Sequence, residues 1–346
     1  MKICFIMYPW ERVDPAQDST IRIIHECVKR KHEVAITHAA NLTIRDSVTL
    51  SLCKWINPEE KTTNSIKAFY REINFQTEMS PLNSFDVIFM RDNPPLDNLV
   101  LNFLDSIKDE VFIINDVNGL REANNKIYTA AYQDPDRALI PTTHVSKNLD
   151  YLLRIIQDSD QEKMIMKPLD GFGGSGVIVI EKSAMHNIRS LLDFYIHREK
   201  GKSNYVILQD YIEGAEEGDV RVIMLNGEPI GALRRRPTAG DVRSNISAGG
   251  SVEKYRLTKQ DKILCQKIGE KLVKDGIYYA GLDLINGKLI EINVLSPGTL
   301  KDINRLYKVR LQEKIIDYLE KVVETRRELK DDFRPEILYD DASSES

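Results

Sequence analysis

At 346 residues the chain is long enough for two to three domains of roughly 100–200 residues each. Its 42% hydrophobic and 29% charged content can bury a sizeable core, which excludes a disordered or fibrous protein. The formal charge of −5 argues against nucleic acid as the main partner, and residues 331–346, with six acids against Arg334, carry all of it.

In chain order, residues 2–7 form a buried strand; as a signal peptide the segment is too short and lacks a small-residue cleavage site. Ile21, Ile24, Cys27 and Val28 then recur at helical spacing behind Asp18-Ser19-Thr20, where Asp18 or Ser19 can cap the helix. Further strands at 34–36, 86–90 and 111–115 alternate with helices into a small open α/β domain with a mostly parallel sheet. Residues 45–80 are polar and read as an irregular excursion from that sheet. A helix at 120–131 leads to an extended segment at Pro141, a helix at 148–158, strands at 163–167 and 177–180, a helix at 183–197 and a strand at 205–209. Strands 220–225 and 229–234 flank Asn226-Gly227; after a helix at 258–275, strands 280–285 and 288–294 flank Asn286-Gly287. A single long helix over 300–329 precedes the acidic end. No run of about 18 apolar residues exists, so no membrane span is expected. The four cysteines are scattered without a CxxC, which predicts neither zinc site nor disulfide and a cytoplasmic location.

All 18 glycines lie at or beyond Gly119. A dinucleotide-binding βαβ unit needs glycines in its first strand-to-helix turn, which here reads Tyr8-Pro9-Trp10-Glu11, so an N-terminal NAD or FAD domain is excluded. The stretch 171–176 matches G-x-G-x-x-G, but a strand follows it where the dinucleotide motif requires a helix. Strand–glycine loop–strand describes a flap whose N–H groups, at Gly171, Gly173, Gly174, Ser175 and Gly176, can fold over phosphates; a ligand-free hairpin is the alternative. Lys167 beside the flap suits a phosphate-binding ammonium, or is a snorkelling lysine, and Lys126 can supply a second cation.

Asp283, Glu291 and Asn293 interrupt apolar strands and all offer oxygen ligands, as magnesium prefers. A strict two-residue turn at Asn286-Gly287 would pair Asp283 with Ile290 and send Glu291 to the opposite face. A shared metal site therefore requires a longer loop or a bulge; solvent-facing polar residues on an edge strand are the alternative. Asp219 and Arg221 open one strand, Arg234-Arg235-Arg236 close its partner, and Arg243, Asn245, Gly249 and Gly250 follow. Such positive charge beside carboxylates suits an anionic ligand. No Ser/His/Asp or Cys/His arrangement indicates a covalent nucleophile.

Lys167-Pro168-Leu169-Asp170-Gly171-Phe172-Gly173-Gly174, Gln209-Asp210-Tyr211, Gly218-Asp219-Val220-Arg221, Ser244–Gly250, Gly281-Leu282-Asp283 and Glu291–Pro297 together resemble the prokaryotic glutathione synthetases, which are ATP-grasp ligases. Arg91-Asp92-Asn93-Pro94-Pro95-Leu96-Asp97 is similar to that family's Arg-x-x-Pro-Pro-x-Asp stretch, and the resemblance spans residues 1–318 in order. The chain departs from the pattern at Tyr8-Pro9, where the family reads Met-Asp-Pro, and at Ala16-Gln17, where it commonly has lysines.

The resemblance implies α/β and α+β architecture: a pre-ATP-grasp open α/β domain (1–121) and a two-subdomain ATP-grasp fold, with a lid carrying the flap (122–204) and a catalytic subdomain (205–325). Residues 326–346 would be an acidic, disordered tail. It implies that ATP converts a substrate carboxylate to an acyl phosphate that an amine attacks. γ-Glutamylcysteine and glycine would be the substrates, Mg²⁺ (or Mn²⁺) on Asp283, Glu291 and Asn293 the cofactor, and a homo-oligomer is left open. Arg221, Arg235 and Lys167 are the expected catalytic residues. Lys126, Lys167, the flap, Gln209, Asp210, Tyr211, Ile212 and Asp219 are expected to bind ATP. Asp18, Ser19, Arg91, Arg235, Arg243, Asn245, Gly249, Gly250 and Ser296 are expected to bind the peptide. Neutralising Asp283 or Glu291 should abolish turnover with little loss of stability. An ATP-grasp ligase for another pair, or a non-catalytic ATP-binding protein like the synapsins, is the alternative; a protein kinase is discarded for want of His-Arg-Asp and Asp-Phe-Gly.

Overall fold

In a computed structural model, which describes residues 1–57, 63–136, 138–169, 176–198, 202–238 and 250–332 (side chains to 329), three sheets carry the chain. The first is built on β1 (Lys2–Met7), whose apolar run lies between two parallel neighbours, β2 (Glu33–Thr37) and β6 (Val87–Arg91). The region expected to be irregular holds three antiparallel strands: β3 (Leu42–Arg45), β4 (Val48–Ile56) and β5 (Phe75–Pro81). Their turn, Asp46-Ser47, takes positive φ at both residues without glycine, and one face is exposed; both features weaken the strand pattern. β7 (Phe112–Ile114) completes the sheet beside β6.

The second sheet is antiparallel: β8 (Thr143–Ser146), β9 (Lys163–Pro168), β10 (Ile178–Glu181) and β11 (Val206–Asp210), in the order β10-β9-β11-β8. β11, which a boundary at 204 assigns to the third unit, pairs with β8 and β9. This sheet and the helices Leu149–Asp158 and Met185–Ile196 enclose an apolar cluster of their own, from Leu152 to Leu208.

The third sheet follows the order of β14 (Ser251–Lys254), β13 (Glu228–Arg236), β12 (Asp219–Leu225), β15 (Tyr279–Ile285) and β16 (Lys288–Asn293). Its apolar side chains share clusters with the first sheet, so these two units pack continuously. The helix expected over 120–131 breaks at Asn124-Asn125-Lys126, where Asn125 Oδ1 accepts from Ile127 N and caps a new turn. The final helix is also two, Leu300–Tyr307 and Leu311–Asp332, separated where Lys308 adopts φ +56. Asn304 Oδ1 accepts from Leu311 N there, so a side chain makes the break without glycine or proline. Residues 326–332, expected in the tail, continue this helix, and Arg326 and Arg327 donate to the Asp109 carbonyl and the Asp86 carboxylate of the first domain. The rest of the acidic end lies outside the described residues.

Candidate active site

Strand register decides which charged side chains meet. Ile285 pairs with Lys288 across a strict two-residue turn, but a bulge at Ile290 shifts the ladder, so that Asp283 faces Glu291 and Gly281 faces Asn293. On its other side Asp283 pairs with Arg221, and Asp219 pairs with Arg235. Asp219, Arg221, Arg235, Asp283, Glu291 and Asn293 are thereby gathered on one surface of the third sheet.

Asp283 is its hub. Arg221 donates to both carboxylate oxygens, one through Nη2 at 3.0 Å; Arg235 Nη2 lies 3.0 Å from Oδ2, and Asn293 Nδ2 donates to the same oxygen at 3.3 Å. Arg235 also grips Asp219 with two bonds of 2.6 and 2.7 Å. Burial alone would raise the Asp283 pKa, but Arg221 and Arg235 overcome it and hold the carboxyl down to about 2. Asp219 is pushed up instead, by burial and then by Asp283, and Arg235 opposes this. Arg221 and Arg235, expected to act on substrate, are in this structure bonded to Asp283 and Asp219. Gly218 permits this crossing: its φ is +105, and a Cβ there would sit 1.9 Å from the Arg235 carbonyl oxygen.

Lysines arrive from elsewhere. Lys126, at the break between the helices Val117–Ala123 and Ile127–Ala130, brings Nζ to 3.6 Å from Glu291 Oε1. Lys167 on β9 is buried and donates to Gln209 Oε1 at 3.0 Å, and Gln209 Nε2 donates to Thr143 Oγ1 at 2.8 Å. The Gln209 side chain, expected to bind ATP, thus props a lysine across three strands. Burial, opposed by Glu291 and Asp283 and assisted by Lys126, brings the Lys167 ammonium down to about 8. Asp210, Tyr211 and Ile212 join the second sheet to the third; the Tyr211 hydroxyl donates to Glu216 at 3.0 Å. Lys126, Arg221, Glu291, Asn293, Ser296 and Asn93–Leu96 line one cavity of about 400 Å³.

The first domain closes the other side. Arg91 is 1% exposed; Nε donates to Thr20 Oγ1 at 3.0 Å, Nη2 to the Pro297 carbonyl at 3.3 Å, and Ser296 Oγ donates to the Arg91 carbonyl at 2.8 Å. Asp18 Oδ1 accepts from Ile21 N at 2.8 Å and caps the helix Thr20–Lys29, while Ser19 occupies the N-cap position without such a bond. At the two departures from the family pattern, the Tyr8 hydroxyl donates to Asp18 Oδ2, and Lys301 Nζ donates to Gln17 Oε1 at 2.8 Å. Ser19 Oγ, Arg22 Nε and Arg91 Nη1 are buried without a hydrogen-bond partner among the described residues. Unpaired buried donors of this kind suit an anion.

Of the other expected residues, Gly176 accepts at its carbonyl from Tyr195 (3.2 Å) and Gly250 precedes β14. Gly171, Gly173, Gly174, Ser175, Arg243, Asn245 and Gly249 lie outside the described residues. Sequence reading missed Asn115, a buried hub that donates to the Tyr279 and Val294 carbonyls and accepts from the Tyr278 and Tyr279 amides at 2.7–2.8 Å. A polar residue closing the apolar run Val111–Ile114 was its only signal. The donor set fits a hard divalent cation, with two carboxylates from paired strands and an amide oxygen. Among the described residues no three His, Cys, Asp or Glu gather as a metal cluster, so the amide is needed as third donor.

Models described as the N-terminal and ATP-grasp domains of prokaryotic glutathione synthetase match residues 1–121 and 125–308. The glutathione synthetase of Nostoc sp. is 31% identical over 93% of this chain and 98% of its own length; that of Vibrio cholerae is 28% identical over 93% and 98%. Among solved structures, D-cycloserine synthetase DcsG superposes with a TM-score of 0.61 at 13% identity (92% and 99% covered). The ATP-grasp ligase PsnB, complexed with a precursor variant, Mg and ADP, gives 0.60 at 15% (93% and 98%). Matched along nearly its whole length and arranged as three such sheets, the chain belongs to the prokaryotic glutathione synthetase family of ATP-grasp ligases.

Proposed function

We propose that this protein joins γ-glutamylcysteine to glycine with consumption of ATP, releasing glutathione, ADP and phosphate. The observation that carries the reading is the convergence of Lys126 and Lys167 on the Asp283–Glu291 pair from two other elements, which sets ammonium groups beside oxygen ligands where phosphates must be held. The donor carboxylate attacks the γ-phosphorus of ATP; the bond to the β,γ-bridging oxygen breaks, and ADP leaves with the electron pair. Lys126 and Lys167 hold the phosphates in line and offset their charge. Glycine's amine then attacks the acyl carbon, the C–N bond forms, phosphate departs and the amine loses a proton.

Asp283, Glu291 and Asn293 would hold a divalent cation, Mg²⁺ in this reading, which when bound neutralises phosphate charge. Arg221 and Arg235 keep Asp283 ionised and oriented, and so act through it as positioning residues. On the first-domain side, Arg91, Ser19 and the amino end of the helix Thr20–Lys29 receive a carboxylate of the peptide. By the family resemblance, the glycine run 171–176, of which only Gly176 is among the described residues, would cover the phosphates and keep water from the acyl phosphate.

The test is product analysis by mass spectrometry with γ-glutamylcysteine, glycine and ATP against a panel of other dipeptide and amino acid pairs. Glutathione should be the main product. A different pair with kcat/KM at least about tenfold higher would keep the ligase and remove this substrate assignment.

A further inference from the structure

Among the described residues Arg91 has no counter-ion. Its guanidinium is almost fully buried, and its hydrogen-bond acceptors among them, Thr20 Oγ1 and the Pro297 carbonyl, are neutral. No carboxylate among the described residues lies within ion-pair distance, and Nη1 has no hydrogen-bond partner among them. Two aromatic rings flank it instead: its guanidinium carbon is 5.6 Å from the Phe89 ring centre and 5.5 Å from that of Tyr279. The cation–π contacts fix the guanidinium plane but leave its charge to be neutralised by something that binds.

Tyr279 has a second, unexpected property. It is 1% exposed, yet its hydroxyl has no hydrogen-bond partner among the described residues, where buried phenols normally find one. It is also held in place: Asn115 bonds both its amide and its carbonyl, and the Phe89 ring packs edge-on at 5.8 Å. Along β15, Tyr279, Gly281 and Asp283 share one face, and the Arg221 stem crosses Gly281, with Cδ 3.3 Å from where a Cβ would stand. The phenol is therefore carried on the charged face, within electrostatic reach of both Arg91 and Arg221. Burial raises its pKa, so it stays protonated and can donate. Ser19 Oγ, the neighbour of the Thr20 that holds Arg91, is the third unpaired group in this corner.

We infer that Tyr279 is a positioning and specificity-determining residue for the donor peptide: its ring orients Arg91, and its hydroxyl donates to the same peptide carboxylate. This rests on the function proposed above. The reacting carboxylate must lie beside Lys126, Lys167 and Asp283, so the Arg91–Tyr279 corner serves the donor's other, unreactive carboxylate. An ionic ligand oxygen satisfies Arg91 Nη1 and the phenol together, which explains why neither has a partner among the described residues. A phenylalanine would fill the same space without the donor, so it separates the hydroxyl's share of carboxylate recognition from the share that the ring contributes by orienting Arg91.

The experiment uses the full-length protein and its Tyr279→Phe and Tyr279→Leu variants. Steady-state kinetics would be measured for γ-glutamylcysteine, ATP and glycine, and donor binding without ATP would be followed by calorimetry. Tyr279→Phe should raise the donor KM and Kd about tenfold while KM for ATP stays within about twofold. Its thermal midpoint should equal or exceed that of the wild type, because a buried unpaired hydroxyl is removed. Tyr279→Leu should weaken the donor further by also releasing Arg91. An analogue that lacks the glutamyl α-carboxylate altogether, 4-aminobutanoyl-cysteine, should bind wild type and Tyr279→Phe alike. An unchanged donor KM and Kd in Tyr279→Phe, or an equal rise in KM for ATP, would overturn the inference. A wild type that turns over other pairs but not γ-glutamylcysteine and glycine would instead overturn the proposed reaction.

Discussion

Replacing Asp283 by asparagine separates its structural role from that of Glu291. Asp283 is buried and bonded to Arg221, Arg235 and Asn293, whereas the Glu291 side chain keeps 31% of its surface exposed and meets Lys126 only at 3.6 Å. A folded-state pKa of about 2, against about 3.9 in the unfolded chain, contributes on the order of 2–3 kcal/mol of stability. Because the folded value is the lower one, this contribution is complete above pH about 4 and is lost as pH falls towards 2. The substitution removes it and leaves the buried Arg221 without a counter-ion, a loss of about 3–5 kcal/mol. At about 2–4 °C per kcal/mol, the thermal midpoint should fall by about 6–20 °C at pH 7. Glu291→Gln should cost under about 1 kcal/mol. The expectation that neutralising either residue would spare stability therefore holds for Glu291 alone. Scanning calorimetry at pH 7, and at about pH 3 where part of the Asp283 contribution is lost, tests this, and equal midpoints for the two variants at pH 7 would refute the argument.

Three further outcomes follow from the geometry. With Lys167 titrating at about 8, kcat/KM for ATP should fall about tenfold per pH unit above that value, and Lys167→Arg should abolish the inflection; an inflection that persists in the variant places the titration elsewhere. Gly218→Ala forces a methyl against the Arg235 carbonyl at φ +105 and should cost more than about 3 kcal/mol, so an unchanged melting curve contradicts the observed crossing. Asn115→Ala breaks four buried bonds to the third sheet and should cost at least about 3 kcal/mol, with faster amide exchange at Tyr278 and Tyr279; protected amides there would show that packing alone docks the domains.

Local chemistry made much of the molecule legible before any coordinates. The apolar run at 2–7 and the Asn226-Gly227 and Asn286-Gly287 turns predicted their strands because composition and turn type there agree with the fold. The β3–β5 region failed because one face is solvated and its hairpin turns on Asp46-Ser47 instead of glycine. The break at Lys308 failed because a distant side chain, Asn304, makes it. The metal-ligand set shows the limit most clearly. Spacing alone sends Glu291 away from Asp283, and only the bulge at Ile290 reverses this, since a bulge depends on the partner strand. Arg221 and Arg235 were visible as a cationic pair, but their engagement by Asp283 and Asp219 depends on register across three strands. Tyr279 left no signal, because an aromatic at a strand end reads as core.

The claim that this site makes an acyl phosphate is tested most directly by ¹⁸O transfer. With both oxygens of the reacting γ-glutamylcysteine carboxylate labelled, and ATP and glycine unlabelled, one ¹⁸O per turnover should appear in inorganic phosphate and the other in the new amide. Phosphate free of label, with glutathione still formed, would contradict the account.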